Sequence, residues 1–317
     1  MKIAGTGRAL PKQVVTNAQL TEILDTSDEW IVSHTGIRER RILSEETLED
    51  IAFAAANAAL DDAQLTGADM DLILCCNMIA THLTPGLGCL VAGAVNAACP
   101  VLDINGACTG FVQALDVADS YLRAGKARRI LIVAAEKATY LADWTDRATC
   151  VLFGDGAGAV VVEGDGAGLL MASTLKTESN IQFLNAVLPP SRCPYTKAAQ
   201  PESALYMNGQ EVYRFAVSAC IRDLNFVIEQ AGITMDDVDC YLLHQANSRI
   251  LEAARTRLRQ PAEKFPTNIA RLGNTSSACI PILLSEMRDE GKLHEGMTLA
   301  FAAFGAGLSH GAALLTL

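Results

Sequence analysis

A cysteine in a glycine-containing turn lies where a thiol can act as a nucleophile. Val101–Ile104 predicts a buried strand, residues 105–107 a turn, and residues 109–124 a helix, so Cys108 stands at a helix start. Free amide groups and the positive end of a helix dipole favour the thiolate, the nucleophilic form of cysteine. We therefore predict that Cys108 is a nucleophile. The other nine of the ten cysteines are expected to be small, mostly buried side chains.

A histidine and an asparagine in the second half of the chain are candidate partners for that thiol. His244 follows an apolar run at a predicted strand end, where a histidine is often structural. Asn274 follows Gly273, and asparagine is also a good helix N-cap. Neither residue is decisive alone, and both gain weight from their places in an internal repeat.

The two halves of the sequence contain matching features in the same order. Residues 69–76 resemble residues 237–244 at a shift of 168 positions, and Gly125 and Gly291 each precede a predicted strand at a shift of 166. Each half then closes with a glycine-rich turn and an apolar strand. The pattern predicts two copies of one structural unit, an N-terminal half at residues 1–165 and a C-terminal half at residues 166–317.

This repeat predicts how the chemical residues meet. Cys108 lies 17 positions before Gly125. Asn274 lies 17 positions before Gly291, so the two are expected at equivalent helix starts. His244 ends a strand that occurs in both halves. If the halves pack about a pseudo-twofold axis, Cys108, His244 and Asn274 share one site.

Short apolar runs alternate with longer helical patterns, which predicts an α/β layered fold with largely parallel strands. Strands are predicted at residues 70–76, 129–134, 159–163, 238–243 and 297–302, and helices at 47–63, 109–124, 211–231 and 248–259. A proline-containing stretch at residues 188–202 is predicted to be a surface loop.

The composition argues against several classes of protein. The chain has 317 residues, half of them hydrophobic, which is enough for a large core. Its net charge of −11 argues against nucleic acid and anionic membranes as partners. The cysteines follow no metal-binding spacing, so no metal is expected. Because signal-peptide and membrane-spanning patterns are missing, we expect a cytoplasmic protein with reduced thiols.

Three other interpretations compete with this one. Residues 154–158 suggest a dinucleotide loop, but a strand is predicted after them where phosphate binding needs a helix. Residues 106–110 also fit the nucleophile elbow of an α/β-hydrolase, with Asp155 and His310 as acid and base. A hydrolase leaves the duplication and His244 unexplained. The third alternative is a non-catalytic scaffold paralogue.

Over essentially its whole length the sequence resembles β-ketoacyl-acyl carrier protein synthase III, a family of thiolase-like condensing enzymes. The resemblance includes the Cys108 turn and residues 26–31, 35–40, 153–158, 207–209, 244–247, 273–276 and 304–311. It implies a five-layered α-β-α-β-α fold built from two duplicated halves, a homodimer, and the initiation of fatty acid biosynthesis. The alternative is a related acyltransferase of secondary metabolism that uses another acyl donor or acceptor.

The resemblance also implies a reaction. Cys108 would take the acyl group from acyl-CoA, and the backbone N–H groups of Cys108 and Ala306 would form an oxyanion hole. Malonyl-acyl carrier protein would follow, and His244 and Asn274 would donate hydrogen bonds to its thioester oxygen as CO2 leaves. Phe304 would crowd the malonyl carboxylate and favour its loss. Neither a metal nor a redox cofactor is needed, and coenzyme A enters only as a substrate thioester.

Trp30, Thr35 and Arg147 match positions that bind coenzyme A in the family. The chain departs from the family pattern at His34, where relatives commonly have arginine. This change removes a permanent cation near the nucleotide, so the resemblance indicates the reaction class better than the acyl donor.

Two further predictions concern the acyl chain and the carrier protein. Thr84 matches a position where some relatives place a bulky aromatic that closes the acyl pocket across the dimer, although a one-residue gap would move the match to Leu83. The smaller threonine predicts a primer longer than acetyl, or branched. A basic helix on this acidic chain is expected to dock acyl carrier protein through Arg249, Arg255, Arg257 and Arg259.

Overall fold

The first half of the chain forms a mixed β-sheet. A computed structural model describes residues 2–164, 170–187 and 205–317. The strands of this half are β1 (Lys2–Ala9), β2 (Gln13–Thr16), β3 (Glu39–Ile42), β4 (Leu72–Cys76), β5 (Val101–Ile104), β6 (Arg129–Lys137) and β7 (Asp155–Glu163). The sheet has the order β1-β7-β6-β4-β5, while β2 pairs with β3. Strands β6, β4 and β5 are parallel, and β7 is antiparallel to β1 and β6.

The second sheet repeats the arrangement of the first. Its half contains β8 (Ala172–Asn180), β9 (Leu184–Ala186), β10 (Leu205–Met207), β11 (Cys240–Leu243), β12 (Thr298–Gly305) and β13 (Gly307–Thr316). The sheet order is β11-β12-β13-β8, and β9 pairs with β10. Strands β11 and β12 are parallel, and β13 is antiparallel to both of its neighbours. The four strands therefore correspond to β4, β6, β7 and β1, and β5 is without a counterpart in the described residues.

Helices form the other three layers of the fold. They are α1 (Asn17–Leu20), α2 (Asp28–Thr35), α3 (Leu48–Ala63), α4 (Leu87–Ala94), α5 (Gly110–Arg123), α6 (Gly209–Gln230), α7 (Ser248–Leu258), α8 (Ile269–Leu272) and α9 (Cys279–Asp289). Helices α5 and α9 contact strands of both sheets and form the central layer. Helices α3 and α4 pack on the first sheet, and α6 packs on the second sheet and on α7. The predicted five-layered α-β-α-β-α fold is confirmed.

Glycines let the helices lie very close to the sheets. A Cβ atom at Gly7 of β1 would come within 2.3 Å of the Ala55 carbonyl oxygen in α3. One at Gly158 of β7 would come within 2.6 Å of a backbone nitrogen in α9. No side chain fits at such distances, so glycine is required there. For this reason the predicted glycine-rich turn is part of a strand, and β7 begins at Asp155 instead of at residue 159.

The duplication is confirmed, but the residues that correspond differ from the prediction by three positions. Helix α9 begins 169 positions after α5, and a 3-10 turn leads into each. The prediction counted the same number of residues back from Gly125, after α5, and from Gly291, after α9. Because α5 has 14 residues and α9 has only 11, that count places the start of the second helix three residues too early. Cys108 is therefore matched by Ser277, and Asn274 is matched by Asn105.

Two sequence predictions concern residues outside the described part of the chain. The boundary between residues 165 and 166 is one, and the surface loop at residues 188–202 is the other. Among the helices of the described residues, none has both the length and the apolar character that a membrane span requires.

Candidate active site

A cavity of about 500 Å³ brings together residues from both halves of the chain. Its walls include Cys108 from the turn before α5, His244 directly after β11, and Asn274 before α9. Phe304 and Ala306, at the junction of β12 and β13, line the same cavity. The three residues that the sequence predicts in one site therefore share a common space.

Cys108 is held in a tight turn between β5 and α5. The preceding Ala107 has a positive φ of 46°, and the 3-10 turn Ala107–Thr109 leads directly into α5. A Cβ atom at Gly305 would come within 2.9 Å of the Cys108 backbone nitrogen, so the close approach of β12 requires glycine. Ala306 follows Gly305, and both Ala306 and Cys108 line the cavity.

The Cys108 thiol lies in an environment that favours its protonated form. Burial raises the pKa of Cys108 to about 12, and the neighbouring Glu136 carboxylate adds to the rise. Ser276, whose Oγ lies 3.3 Å from Cys108 Sγ, opposes the rise in pKa through a hydrogen bond. The helix start led us to expect a resting thiolate, but desolvation outweighs the stabilising contacts. The thiol must therefore lose a proton when it reacts.

His244 is a buried and neutral imidazole. It is 1% exposed, and burial lowers the pKa of the imidazole to about 3. The backbone N–H of His244 donates to the Ala302 carbonyl oxygen at 2.8 Å, which fixes the residue at the end of β11. An uncharged imidazole donates a hydrogen bond only through the one nitrogen that carries hydrogen.

Cys279, the first residue of α9, contacts one of the two ring nitrogens. Its Sγ lies 3.0 Å from His244 Nδ1 and accepts a hydrogen bond from the Gln245 backbone N–H at 3.4 Å. Burial raises the pKa of Cys279 well above its usual range, so the thiol keeps its proton. A thiol that donates to Nδ1 leaves the imidazole hydrogen on Nε2, the nitrogen that Cys279 does not contact. The sequence predicts Cys279 only as a buried cysteine, and its place at the start of the second central helix is the signal that it lies near the site.

Asn274 is positioned by backbone contacts with the glycine-rich segment of the first half. Its N–H donates to the Leu152 carbonyl at 2.8 Å, and its own carbonyl accepts from the Gly154 N–H at 3.1 Å. Side-chain Oδ1 accepts from the Ser276 N–H at 2.9 Å. Because Oδ1 is engaged, Nδ2 is the group that the amide offers to a ligand of the cavity. The cap residue of α9 is Ala278, so Asn274 is not a helix N-cap.

Phe304 forms an apolar wall beside the imidazole. Its ring meets the His244 ring edge to face, with 5.1 Å between the centroids and an interplanar angle of 66°. Phe304 belongs to a buried hydrophobic cluster with Ala216 and Val217 of α6 and Ile250 of α7. A carboxylate placed against this wall would lose much of its hydration.

Trp30 lines the cavity and is contacted by two basic side chains. The guanidinium of Arg147 lies 5.0 Å from the Trp30 ring centroid, and the ring of His34 stacks on it with 4.5 Å between centroids. Thr35 also lines the cavity, but its hydroxyl donates to a carbonyl of α2 at 2.6 Å and accepts from the Ile37 N–H at 3.0 Å. The three predicted coenzyme A residues and His34 are therefore close together, with the Thr35 hydroxyl already engaged.

The four arginines predicted to dock the carrier protein differ in their surroundings. Arg249, Arg257 and Arg259 are exposed, and within the described residues their side chains form no ion pair. Arg255 instead makes two hydrogen bonds to the Glu252 carboxylate, at 2.5 and 2.8 Å. Arg249 is the one of the four that lines the cavity.

Thr84 lies on an exposed loop between β4 and α4 and does not line the cavity of its own chain. The neighbouring Leu83 is 97% exposed. Because the predicted role of Thr84 acts across a dimer, a single chain leaves that role a prediction.

The geometry contradicts the hydrolase interpretation. The Asp155 carboxylate accepts hydrogen bonds from the Leu43 N–H at 2.9 Å and from the Thr139 hydroxyl at 2.7 Å. Nδ1 of His310 pairs with the buried Asp223 carboxylate at 2.5 Å. Neither Asp155 nor His310 lines the cavity that contains Cys108, so they cannot serve as its acid and base.

The duplicated sheets with helices buried between them define a thiolase-like protein. Residues 102–179 match the family described as 3-oxoacyl-[acyl-carrier-protein (ACP)] synthase III, and residues 228–317 match its C-terminal family. β-Ketoacyl-[acyl-carrier-protein] synthase III of Aquifex aeolicus is 42% identical over 316 residues, which cover 99% of this chain and 98% of that one. The Clostridium acetobutylicum protein of the same name is 39% identical over 327 residues, with 99% and 98% coverage.

Solved structures give the same result. The crystal structure of the Aquifex aeolicus synthase III superposes with a TM-score of 0.92 at 41% identity and covers 100% of this chain and 99% of that chain. The priming β-ketosynthase of a polyketide biosynthetic pathway superposes with a TM-score of 0.92 at 32% identity, covering 100% and 96%. The chain belongs to the β-ketoacyl-[acyl-carrier-protein] synthase III family of acyltransferases, as its sequence led us to expect.

Proposed function

We propose that the chain condenses an acyl-CoA primer with malonyl-acyl carrier protein, with loss of CO2, and so initiates fatty acid biosynthesis. The observation that carries this proposal is the convergence of Cys108, His244 and Asn274 on one cavity in a chain of this family. One nucleophile and two neutral hydrogen-bond donors suit covalent acyl transfer followed by stabilisation of an enolate.

In the first half-reaction, Cys108 Sγ attacks the acyl thioester and coenzyme A leaves. The backbone N–H groups of Cys108 and Ala306 hold the developing oxyanion, a role supported by the contact of Gly305 with the Cys108 nitrogen. The acyl chain then lies in the apolar part of the cavity, whose lining includes Leu205 and Met207.

In the second half-reaction, Nε2 of His244 and Nδ2 of Asn274 donate to the thioester oxygen of the malonyl group. Neutral donors suit this step because negative charge appears on that oxygen only as CO2 leaves. The apolar ring of Phe304 lies beside His244 and disfavours the charged carboxylate relative to CO2. The enolate carbon then attacks the acyl group on Cys108.

Coenzyme A is proposed to bind at the side of the cavity that contains Trp30 and Arg147, whose mutual contact forms a cation–π pair. His34 covers part of the Trp30 ring. Since histidine replaces the arginine of common relatives, this position favours the second candidate function, an acyltransferase of secondary metabolism with another acyl donor. The similarity to a polyketide priming β-ketosynthase points the same way.

Acyl carrier protein is proposed to dock on α7. A groove of about 880 Å³ runs along this helix, and Arg249, Arg255 and Arg257 are among the residues that line it. Because Arg249 lines both this groove and the catalytic cavity, it connects the docking surface with the reaction centre. Positive charge here is complementary to an acidic carrier protein on a chain that is otherwise acidic.

The chain is proposed to act in the cytoplasm as a homodimer. Strand β5 stands at the edge of the first sheet, and its Leu102 is 40% exposed. An edge strand with an exposed apolar side chain can pair with a second copy. No cofactor beyond the coenzyme A thioester is assigned to the reaction.

A direct assay of the product tests the proposed function. The protein is incubated with acyl-CoA and malonyl-acyl carrier protein, and the carrier protein is analysed by mass spectrometry. We expect β-ketoacyl-acyl carrier protein, formed only when both substrates are present. Consumption of acyl-CoA without a condensed product, or transfer of the acyl group to a different acceptor, would favour the acyltransferase of secondary metabolism.

A further inference from the structure

One wall of the cavity beside the nucleophile is a long side chain to which the proposed reaction gives no role. Met78 follows β4 by two residues, is half-buried, and lines the same cavity as Cys108. It packs against the buried cluster that contains Leu152 and Phe153, which also line the cavity. Methionine is unbranched and polarisable, so its side chain fills irregular space and adjusts to a neighbouring group. Met78 can therefore shape the pocket around a group bound to Cys108.

A shared neighbour shows how close Met78 lies to the nucleophile. The hydroxyl oxygen of Ser276 is 3.3 Å from Cys108 Sγ and 3.8 Å from Met78 Sδ. The two sulfur atoms are thus separated by no more than the sum of these distances, 7.1 Å. Carbon atoms in van der Waals contact lie about 3.5–4.0 Å apart, so about two or three carbon atoms of a group on Sγ fit between the sulfur atoms. A longer chain has to pass beside Met78 or displace it.

The backbone of Met78 is anchored to the second half of the chain through a buried carboxyl. The Met78 N–H donates to Glu136 Oε2 at 3.1 Å, and the Ser277 hydroxyl donates to Oε1 of the same carboxyl at 2.5 Å. Both Glu136 and Ser277 are buried. With its backbone held in this way, Met78 can change its side-chain conformation but cannot move away from the nucleophile as a whole.

The internal repeat supplies a comparison for this position. Strand β4 begins at residue 72 and β11 at residue 240, so Met78 corresponds to Ala246 in the second half. Ala246 also lines the cavity. The short side chain of alanine leaves space after the second strand, whereas methionine fills the corresponding space after the first. The duplicated fold accommodates a side chain of either length at this position, so its length is available to select a substrate.

We propose that Met78 is a specificity-determining residue: its side chain bounds the acyl pocket next to Cys108, so that the acyl groups accepted are short, with up to about four carbon atoms. This assignment rests on the proposed function, because the acyl group reaches Cys108 in its first half-reaction. The substrates would be short acyl thioesters, straight or singly branched. The selection acts within one chain, unlike the predicted role of Thr84, which acts across a dimer.

Acyl loading of variants at this residue tests the proposal. Second-order rate constants for acylation of Cys108 are measured with acetyl-, butyryl-, hexanoyl- and octanoyl-CoA. Met78→Ala should raise the ratio of hexanoyl to butyryl loading about tenfold or more, the scale for a methylene in an apolar pocket. Met78→Phe should shift the profile toward acetyl-CoA, and Met78→Leu, of similar volume, should keep it. Met297→Ala is the matched control, because Met297 is a half-buried methionine outside this cavity.

The proposal is overturned if Met78→Ala leaves the ratio unchanged, or if Met78→Ala and Met78→Phe shift it in the same direction, as a general loosening of the pocket would. Butyl and hexyl methanethiosulfonate attach an S-alkyl group to a thiol without coenzyme A, and peptide mass spectrometry quantifies the label on Cys108. The same opposite shifts are expected with these reagents. A native protein that shows them but is never acylated would contradict the proposed function and leave the role of Met78 intact. Acylation that does not depend on Met78 would do the reverse.

Discussion

Two contacts orient the proposed donors. Cys279 Sγ lies against Nδ1 of His244 and leaves Nε2 for a ligand, and the backbone N–H of Ser276 holds Oδ1 of Asn274. Since burial lowers the pKa of His244 to about 3, the imidazole is neutral at every pH well above that value. Its capacity to donate therefore stays constant across the neutral range, and condensation should show no inflection that arises from His244.

Removal of either donor is predicted to separate the two half-reactions. His244→Ala and Asn274→Ala should retain acyl loading but condense at least about 10²-fold more slowly, since each loses one stabilising hydrogen bond to the enolate. Acyl-enzyme and β-ketoacyl-acyl carrier protein are quantified separately by mass spectrometry. His294→Ala, at an exposed histidine outside the cavity, is the control and should affect neither. Equal loss of both half-reactions would instead indicate a general-base role.

The sequence reveals some of these residues and conceals others for a physical reason. Cys108 stands at a predicted turn before a helix, where the local pattern already suggests chemistry, whereas His244 is indicated by its place in the internal repeat. Ser276 carries no local signal, because it becomes a neighbour of the nucleophile only when the two halves pack together. Cys279 is indicated by its place at the start of α9, and its contact with His244 lies within the second half.

Among the elements, α7 combines structural and exposed charges on one helix. It begins after Asn247, whose side chain accepts from the Arg249 N–H at 2.8 Å. Arg255 is fixed by its hydrogen bonds to Glu252, whereas Arg249 and Arg257 are exposed and line the groove. The latter two are thus the better candidates for contacting a carrier protein.

Charge reversal on α7 is predicted to weaken the use of the carrier protein. Arg249→Glu and Arg257→Glu should raise the KM for malonyl-acyl carrier protein, leave kcat largely unchanged, and reduce the salt dependence of kcat/KM. Lys126→Glu is the control and makes the same change of charge. Lys126 follows the C-terminal end of α5, whereas Cys108 precedes the N-terminal end of that helix. An increase in KM as large for Lys126→Glu would show a general effect of net charge and contradict docking on α7.

Element boundaries follow the sequence where apolar periodicity is strong. Residues 248–259 predict α7, which spans Ser248–Leu258, and residues 211–231 predict most of α6. The start of β7 is missed because the glycines that allow α9 to approach this strand look like a turn. The relation of Cys108 to Asn274 is offset by three because α9 is shorter than α5.

At the scale of the whole molecule, the sequence shows that the chain contains two equivalent halves, but it does not show how two chains would associate into a dimer. Repeated motifs at nearly constant spacing indicate two equivalent halves, whereas an edge such as β5 gives no sign of its partner until the sheet order is known. Leu83, Thr84 and Leu102 are all exposed in a single chain. If the chain dimerises through this edge, Thr84 can contribute to the acyl site of the partner.

The length of the acyl chain is predicted to depend on Thr84. The native protein should be a dimer in sedimentation experiments and should accept butyryl- or isobutyryl-CoA at least as well as acetyl-CoA. Thr84→Phe should shift kcat/KM toward acetyl-CoA, with each methylene worth about 1–3 kcal/mol. Thr81→Phe, on the same exposed loop, is the control. Strong native preference for acetyl-CoA, or an unchanged profile in Thr84→Phe, would contradict this role.

Acylation of Cys108 tests the central claim most directly. The protein is incubated with acyl-CoA, and the site of modification is located by intact and peptide mass spectrometry. We predict one acyl group on the peptide that contains Cys108, its loss in Cys108→Ala, and its retention in Cys89→Ala, which changes an exposed cysteine outside the cavity. An acyl group that still appears in Cys108→Ala, or that resides on another cysteine of the native protein, would contradict the assignment of the nucleophile.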